Sequence, residues 1–379
     1  MDQTEALIIE TIDRHREEIL EFARDIYSHA ELGYKEFQTS GKFVKKMEQL
    51  GLRTEKGFAI TGVKAYLNED KKENASLALL GELDALRIPE HAFANPETNA
   101  AHCCGHHAQM AGVFGAALAL TVPEIAEKLD GQVVFFATPA EEYGEIEFKN
   151  QLREQGKIRY GGGKCELLRI GAFDDIDLCL THHIRPGNEI LVGSGTGNGF
   201  VSKVIRVLGK ASHAAGAPEK GVNALSAASL GLQALGMNRE TFRDEDCVRV
   251  HPIITKGGNL VNVIPDEVVV ETLVRGKTIE AFTDAAKKTD RSFKAGAIAM
   301  GAKVEISTLP GYLPTLAEEA LPELKHAAEI SASGIPVIEA SGHAGGSTDV
   351  GDVQHLMPVY TFNTGGVKGG LHQIDFEVT

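Results

Sequence analysis

The chain has few cysteines, a deficit of positive charge and no long apolar run, and each shortage excludes a class of protein. Its five cysteines are odd in number and irregularly spaced, so we expect no disulfide framework and a reducing, cytoplasmic location. A formal net charge of −15 argues against nucleic acid and anionic membranes as partners, because both select basic surfaces. Apolar runs such as 110–121 are too short to span a bilayer, and no signal peptide is visible at the start.

The length and the order of apolar runs predict an α/β protein with two domains. A chain of 379 residues is too long for one ordinary core. Strand-like runs lie at 62–67, 76–80, 132–138 and 176–180, and predicted helices at 106–128 and 147–157 separate the later ones. This alternation predicts a catalytic domain whose mostly parallel sheet is flanked by helices.

A second, inserted domain is predicted at 195–309. It follows a glycine-rich segment at 193–199, which we interpret as a hinge because its spacing is not the G-x-G-x-x-G of a phosphate-binding loop. The next elements have the order β-α-β-β-α-β of a ferredoxin-like α+β domain. Residues 1–194 and 310–379 then form the first domain, with a helix over 315–332.

The densest cluster of metal-binding side chains is H-C-C-G-H-H at 102–107. Thiolates and imidazoles are ligands of transition-metal ions. Cys104 and His106 lie two residues apart, directly before the predicted helix, and are well spaced to bind one ion. His102 and His107 are weaker candidates, because not every histidine of a cluster can reach the same metal.

Further candidates follow the ends of three predicted strands, where chemistry gathers in parallel sheets. They are Glu82 and Asp84, Glu141 and Glu142, and His182 and His183. Neighbouring residues at a strand end point in different directions, so one of the two glutamates can bind metal while the other acts as general base. One of the two histidines can complete the metal site. His372 lies in a glycine turn, which by itself does not indicate a functional role.

The inserted domain contributes three polar candidates. No G-x-S-x-G motif surrounds Ser212, so a serine nucleophile is discounted, and His213 is instead a candidate hydrogen-bond donor to an oxyanion. Arg275 can bind a substrate carboxylate in bidentate fashion, although a surface arginine is an equally good interpretation. Asn262 lies in the segment N-V-I-P.

Taken in order, these segments resemble the M20 metallopeptidases, specifically the aminoacylase/amidohydrolase branch that has a cysteine as metal ligand. The resemblance covers nearly the whole chain. Its segments are S-H-A-E-L-G at 28–33, E-L-D-A-L at 82–86, H-C-C-G-H-H at 102–107, T-P-A-E-E at 138–142, H-I-R-P at 183–186, S-H-A-A at 212–215, G-V-N-A-L at 221–225, N-V-I-P at 262–265 and G-S-T-D-V-G-D at 346–352. The ordered set is specific, although no single member is.

The resemblance implies a set of roles. Two divalent transition-metal ions (Zn, Mn, Co or Ni) would be bound by Cys104, His106, Glu142, His183 and His372, with Cys104 as the bridging ligand. Glu141 would be the general base, and His213 would stabilise the oxyanion, in the partner subunit's site. Asn262 and Arg275 would contact the substrate. The inserted domain would be a lid that also forms a homodimer.

The sequence departs from the branch at two places. His107 stands where Asp or Asn is usual, which changes a partner of the metal ligands. The chain also stops soon after His372, where relatives continue into a last helix, and we expect a less supported His372 loop.

The leading hypothesis is hydrolysis of the amide bond of N-acyl amino acids or small dipeptide-like substrates by a metal-bound hydroxide. The alternative is a catalytically weak or silent relative that binds metal or a ligand.

Overall fold

The computed structural model describes residues 1–332 and 334–379. These residues form two compact units. The first comprises Met1–Gly195, Leu316–Gly342 and Asp352–Thr379, and the second comprises Thr196–Thr315 and His343–Gly351.

The second unit differs in extent from the domain predicted at 195–309. It also includes 310–315 and 343–351, which we had assigned to the first domain. The physical reason is backbone pairing: the strand His343–Ala344 lies parallel to Thr196–Gly197, and the N–H of Asn198 donates to the carbonyl of Gly346 over 2.9 Å.

The helices and strands have the following bounds in chain order. The α-helices are α1 (Gln3–Arg14), α2 (Arg16–Ser28), α3 (Phe37–Gln49), α4 (His106–Leu120), α5 (Pro123–Ala126), α6 (Ile146–Glu154), α7 (Gly163–Arg169), α8 (Ala224–Met237), α9 (Ile279–Ala299), α10 (Pro322–Ser331) and α11 (Val350–Gln354). The strands are β1 (Arg53–Phe58), β2 (Gly62–Leu67), β3 (Ser76–Glu82), β4 (Leu86–Arg87), β5 (Ala100–Ala101), β6 (Gln132–Thr138), β7 (Leu178–Pro186), β8 (Ile190–Val192), β9 (Thr196–Gly197), β10 (Gly199–Leu208), β11 (Arg249–Val250), β12 (Ile253–Lys256), β13 (Glu267–Gly276), β14 (Lys303–Pro310), β15 (Val337–Glu339), β16 (His343–Ala344), β17 (Val359–Lys368) and β18 (Glu377–Val378).

The first unit is built on a mixed, largely parallel sheet, as predicted. Its strand order is β1-β2-β6-β3-β7-β17-β8-β15, with β18 paired to β17, and the central strands β6, β3, β7 and β17 are mutually parallel. Every residue of β6 is buried, which agrees with its run of β-branched and aromatic side chains. Phe135 of β6 packs in one core with Phe22 of α2, Phe43 of α3 and Phe114 of α4.

The second unit contains an antiparallel sheet of order β11-β13-β10-β14, with β12 also paired to β13. Helices α8 and α9 pack on it, and Ile205, Val270 and Phe293 lie in the shared core. The two helices approach closely: a side chain on Gly296 would lie 2.3 Å from the carbonyl oxygen of Ala227. The elements follow the predicted order β-α-β-β-α-β, except that two short strands, β11 and β12, occupy the place of the one strand predicted directly after α8.

Two predicted helices are shorter in the structure, and proline accounts for both. The helix predicted over 106–128 ends at Leu120, because Pro123 begins the separate helix α5. The helix predicted over 315–332 begins only at Pro322, a residue suited to the first helical position.

Among the described residues, no helix combines the length and the apolar character that crossing a membrane requires. The cytoplasmic location stays a prediction.

Candidate metal centre

Cys104 and His106 lie on either side of a glycine whose backbone conformation and close packing disfavour any side chain. Gly105 has φ +95°, and a Cβ on it would lie 2.3 Å from Cγ1 of Ile184. Helix α4 begins directly afterwards at His106. The spacing of two residues therefore places both candidate ligands at the start of a buried helix.

The ring of His106 is oriented by the loop that follows β3. Nδ1 lies 2.8 Å from the carbonyl oxygen of Asp84, which can only accept, so Nδ1 carries a proton. Nε2 is buried, 3.2 Å from Oε2 of Glu82, and makes no hydrogen bond to any described residue. Although burial lowers it, Cys104 and Glu82 raise the pKa of His106 well above its usual value.

The structure selects His183 rather than His182 as the residue that reaches Cys104. Nε2 of His183 lies 3.3 Å from Sγ of Cys104, and Nδ1 lies 2.7 Å from the carbonyl oxygen of Ile184. His182 points the other way, as alternation along a strand requires: it stacks on Phe362 and contacts the hydroxyl of Thr364 over 2.8 Å.

The position of His183 relative to its strand was predicted wrongly. The predicted strand ends at 180, whereas β7 continues to Pro186 because it pairs with β17, with His183 opposite Asn363. The neighbouring β3 pairs with β7 only as far as Thr181. His183 therefore still projects from the region beyond the end of β3.

Glu142 and His372 approach Cys104 from two other segments. Nε2 of His372 lies 3.1 Å from Oε1 of Glu142 and 3.3 Å from Sγ of Cys104. The backbone N–H of His372 donates to the carbonyl of Cys103 over 2.8 Å, which ties the C-terminal segment to the 102–107 loop. Hydrogen bonds to Cys104 and Glu142 raise the pKa of His372 to about 10.

Cys104 is the centre of this arrangement and has the character of a thiolate. Burial and Glu142 act to raise its pKa, but the opposing effect of His106 and His183 is larger and lowers the pKa of Cys104 to about 6. A thiol of this kind is ionised at neutral pH, which is the form that binds metal ions.

The donor atoms form overlapping sets that fit transition-metal ions. Within each set, the donor atoms lie no more than 4.8 Å from one another. The sets are Cys104 with His106 and His183, Cys104 with Glu142 and His372, and His106 with Glu141 and Glu142. Nitrogen, sulfur and carboxylate donors in this proportion suit zinc and similar ions. The buried Nε2 of His106, which makes no hydrogen bond to a described residue, is the kind of atom that a bound ion would satisfy.

Glu82 and Asp84, which the sequence suggested as ligands, instead contact groups around His106. Asp84 accepts the backbone N–H groups of Glu141 and Glu142, over 3.2 and 2.9 Å. Glu82 is paired with the buried ammonium of Lys164 over 2.5 Å. Although burial raises it, Lys164 and His106 lower the pKa of Glu82 to about 2. Lys164 had no signal in the sequence, since nothing near it suggested chemistry.

His102 and His107 do not join the cluster, as the sequence analysis anticipated. Their rings lie 5.2 Å apart, and His107 lies 4.9 Å from the ring of Tyr27. Burial lowers the pKa of His107 to about 3, so its ring is neutral.

The three remaining candidates lie in the second unit. His213 and Asn262 are exposed on neighbouring loops, where His213 forms an antiparallel bridge with Val263. Arg275 lies at the end of β13, half-buried, where its guanidinium donates to the hydroxyl of Ser347 over 2.5 Å. The structure thus brings His213 close to Asn262 along the backbone, with Arg275 on a separate strand.

Comparison with known proteins identifies the family. Residues 78–378 match the profile of Peptidase family M20/M25/M40. The chain is 28% identical to Xaa-Arg dipeptidase of Mus musculus, over 92% of the chain and 77% of that protein. It is 30% identical to IAA-amino acid hydrolase ILR1-like 2 of Arabidopsis thaliana, over 70% of the chain but only 56% of that protein.

A solved structure supports the fold. The YXEP protein of Bacillus subtilis, described as a dinuclear metal-binding peptidase of the M20 family, superposes with a TM-score of 0.65 at 23% identity. The superposition covers 97% of this chain and 93% of that protein. The chain therefore belongs to peptidase family M20/M25/M40 and is a hydrolase that acts on carbon–nitrogen bonds.

Proposed function

We propose that this chain hydrolyses the amide bond of N-acyl amino acids or small dipeptides with two divalent transition-metal ions. The observation that carries the proposal is the position of Cys104, whose Sγ belongs to two donor sets, one with His106 and His183 and one with Glu142 and His372. A thiolate shared between two sets is suited to bridge two ions. The names of the mouse and Arabidopsis relatives support these substrate classes.

The bound ions would polarise the amide carbonyl and make a water molecule more acidic. Zn, Mn, Co and Ni all suit the donors, and availability selects among them. His106 and His183 are held ready for this role, because carbonyl oxygens fix Nδ1 of both rings and direct Nε2 toward the centre.

Glu141 is the proposed general base. It is buried beside Glu142, and Asp84 binds the backbone N–H of both residues. Its carboxylate would take a proton from the attacking water and return that proton to the leaving amine. A buried carboxylate in a donor set with His106 and Glu142 has the surroundings that this role requires.

His213 is the proposed donor to the oxyanion of the tetrahedral intermediate. Its Nδ1 accepts the backbone N–H groups of Ala215 and Gly216, over 3.2 and 2.9 Å. The proton of the neutral ring then lies on Nε2, which can donate outward. Arg275, fixed by Ser347, would bind the substrate carboxylate, and Asn262 would contact the substrate beside it.

We further propose that the second unit is a lid and forms a homodimer, so that His213 serves the partner's site. The edge strand β12 supports this: it pairs with β13 on one side only, and all four of its residues are exposed. Ile253 and Ile254 on that strand, with Leu260 and Val261 beyond it, expose apolar surface of the kind that pairs with a second copy.

The deciding experiment combines metal analysis of the purified protein with a panel of N-acyl amino acids and dipeptides. We expect about two ions per chain and turnover of at least one class, lost on chelation and restored by Zn²⁺, Mn²⁺, Co²⁺ or Ni²⁺. Bound metal without turnover would favour the silent relative, in which His107 is the departure to examine. Absence of bound metal would contradict the proposal.

A further inference from the structure

The turn that carries Glu141 and Glu142 is held by two buried carboxylates from distant parts of the first unit. Oε1 of Glu36 accepts the N–H of Ala140 over 2.8 Å. The two oxygens of Asp84 accept the next two N–H groups, those of Glu141 and Glu142. Three consecutive backbone donors are therefore bound by side-chain carboxylates.

The side chain of Glu36 is itself fixed. It is fully buried, and its second oxygen accepts the hydroxyl of Thr61 over 2.7 Å. The segment before it also touches the turn: a Cβ on Gly33 would lie 3.1 Å from both Cα and Cβ of Ala140. The S-H-A-E-L-G segment, which the reaction itself does not use, thus brings Glu36 against the turn.

The turn has a conformation that needs such support. Ala140 has φ +50°, in the left-handed region that residues with a Cβ rarely adopt. A strained residue of this kind persists only where its surroundings determine it. The bond from Ala140 to Glu36 lies directly at the strained residue, one position before the proposed base.

We propose that Glu36 is a positioning residue: by binding the N–H of Ala140 it holds the turn that aims Glu141 and Glu142. The inference rests on the proposed function for the roles of those two glutamates. Among the described residues, the Glu36 side chain bonds to the backbone N–H of Ala140 and the hydroxyl of Thr61, neither of which is a proposed metal ligand, so Glu36 would act through the backbone of the turn.

The first test is amide hydrogen exchange on metal-free protein, with Glu36→Ala compared with Glu31→Ala. Glu31 is a matched control, because it accepts the N–H groups of Gln38 and Thr39 and the hydroxyl of Thr39 without touching the turn. We expect exchange at 140–142 to become about 10- to 100-fold faster in Glu36→Ala, because the buried N–H of Ala140 loses its acceptor, and to change little in Glu31→Ala. Equal exchange at 140–142 in the two variants would overturn the proposal.

The second test is binding of Co²⁺, followed by its visible absorption, and kcat at saturating Co²⁺. Loss of a partner behind a metal ligand typically weakens binding about 10- to 100-fold, and we expect Glu36→Ala to reach this range while Glu31→Ala does not. Glu36→Gln, which keeps one acceptor oxygen, should restore much of both properties, with KM little altered in either variant. If Co²⁺ affinity and kcat fall in the two alanine variants only in proportion to the fall in melting temperature, Glu36 has a structural role only.

If Glu36→Ala does not fold, Thr61→Val takes its place, since it frees one oxygen of Glu36 and should raise exchange at 140–142 more than Glu31→Ala does. No rise there would overturn the proposal. If wild-type protein neither binds Co²⁺ nor hydrolyses any amide, the proposed function fails. Hydrogen exchange still decides independently whether Glu36 holds the turn.

Discussion

Most candidate residues of the first unit are buried or half-buried and contact one another, whereas His213 and Asn262 of the second unit are exposed. Cys104 is 9% exposed and contacts both His183 and His372. His213 and Asn262 lie at the surface, and the hydrogen bonds that the ring of His213 makes to described residues go to N–H groups two and three residues away.

This difference in burial determines which partner satisfies each polar side chain. A buried cluster of donors has to be satisfied from within, by neighbours or by bound ions, because unpaired buried polar groups are costly. An exposed donor is satisfied by water until a ligand or another subunit arrives. Substitution of a proposed metal ligand in the first cluster should therefore change metal content and stability, whereas substitution of the proposed base Glu141, or of His213 in the second unit, should change kinetics alone.

The largest effect is expected for Glu141→Gln. The amide keeps the shape of the side chain but cannot take a proton, so kcat should fall by about 10³-fold while bound metal stays near wild type. Steady-state kinetics and elemental analysis on the same preparation check this. Near-normal kcat, or loss of metal, would show that Glu141 has been given the wrong role.

Cys104→Ala should break the buried cluster at its centre. Because the thiolate is shared by both donor sets, we expect metal affinity to fall by more than the roughly 100-fold that loss of an outer partner costs. Competition with a chelator measures the affinity, and Cys179→Ala is the control, since Cys179 is buried elsewhere. Unchanged stoichiometry and affinity would leave Cys104 an ordinary buried cysteine.

His213→Ala should lower kcat by about 100-fold, the effect of losing one oxyanion donor, and leave metal content and melting temperature unchanged. If His213 serves the partner's site, a mixture of His213→Ala and Glu141→Gln chains should regain part of the activity, since each heterodimer has one intact site. A monomer in sedimentation, or no rescue despite proven subunit exchange, would contradict the shared site.

The smallest expected effect is a pH dependence of the melting temperature, measured on metal-free protein. Burial, followed by the nearby Asp84, raises the pKa of Glu36 to about 7. A carboxyl with a raised folded-state pKa stabilises fully below its unfolded pKa of about 4.5, and this contribution is lost as pH rises through 7. Relative to Glu36→Gln, which cannot titrate, wild type should lose about 2–4 °C of melting temperature between pH 5 and pH 8. If the melting temperatures of wild type and Glu36→Gln change with pH in the same way, the raised pKa of Glu36 is contradicted.

The sequence was sufficient for features that are local or periodic. Short sequence spacing determines local geometry directly. It applies to the pair Cys104 and His106, to the adjacent Glu141 and Glu142, and to the parallel strands. Alternation could have distinguished His183 from His182 only with the register of β7 known, and that register depends on pairing with β17.

Contacts between distant segments could not be predicted. Glu36 reaches a turn 104 residues away, and Lys164 reaches Glu82 across 82 residues. Each is a single charged side chain in an ordinary amphipathic setting, so nothing nearby indicates its partner. The extent of the second unit was missed for the same reason, because two-residue strands such as β16 have no periodicity to detect.

The place of β17 in the sheet has a consequence for biosynthesis. This strand is inserted between β7 and β8, in the interior of the sheet, yet every other strand of that sheet except β18 precedes it in the chain. His372 lies just after it and is bonded to the 102–107 loop. When synthesis has reached residue 350, the nascent chain lacks both β17, which lies beside His183, and the metal-ligand candidate His372. The full set of donor atoms can therefore come together only after His372 has been synthesised, although Cys104, His106 and His183 are made much earlier.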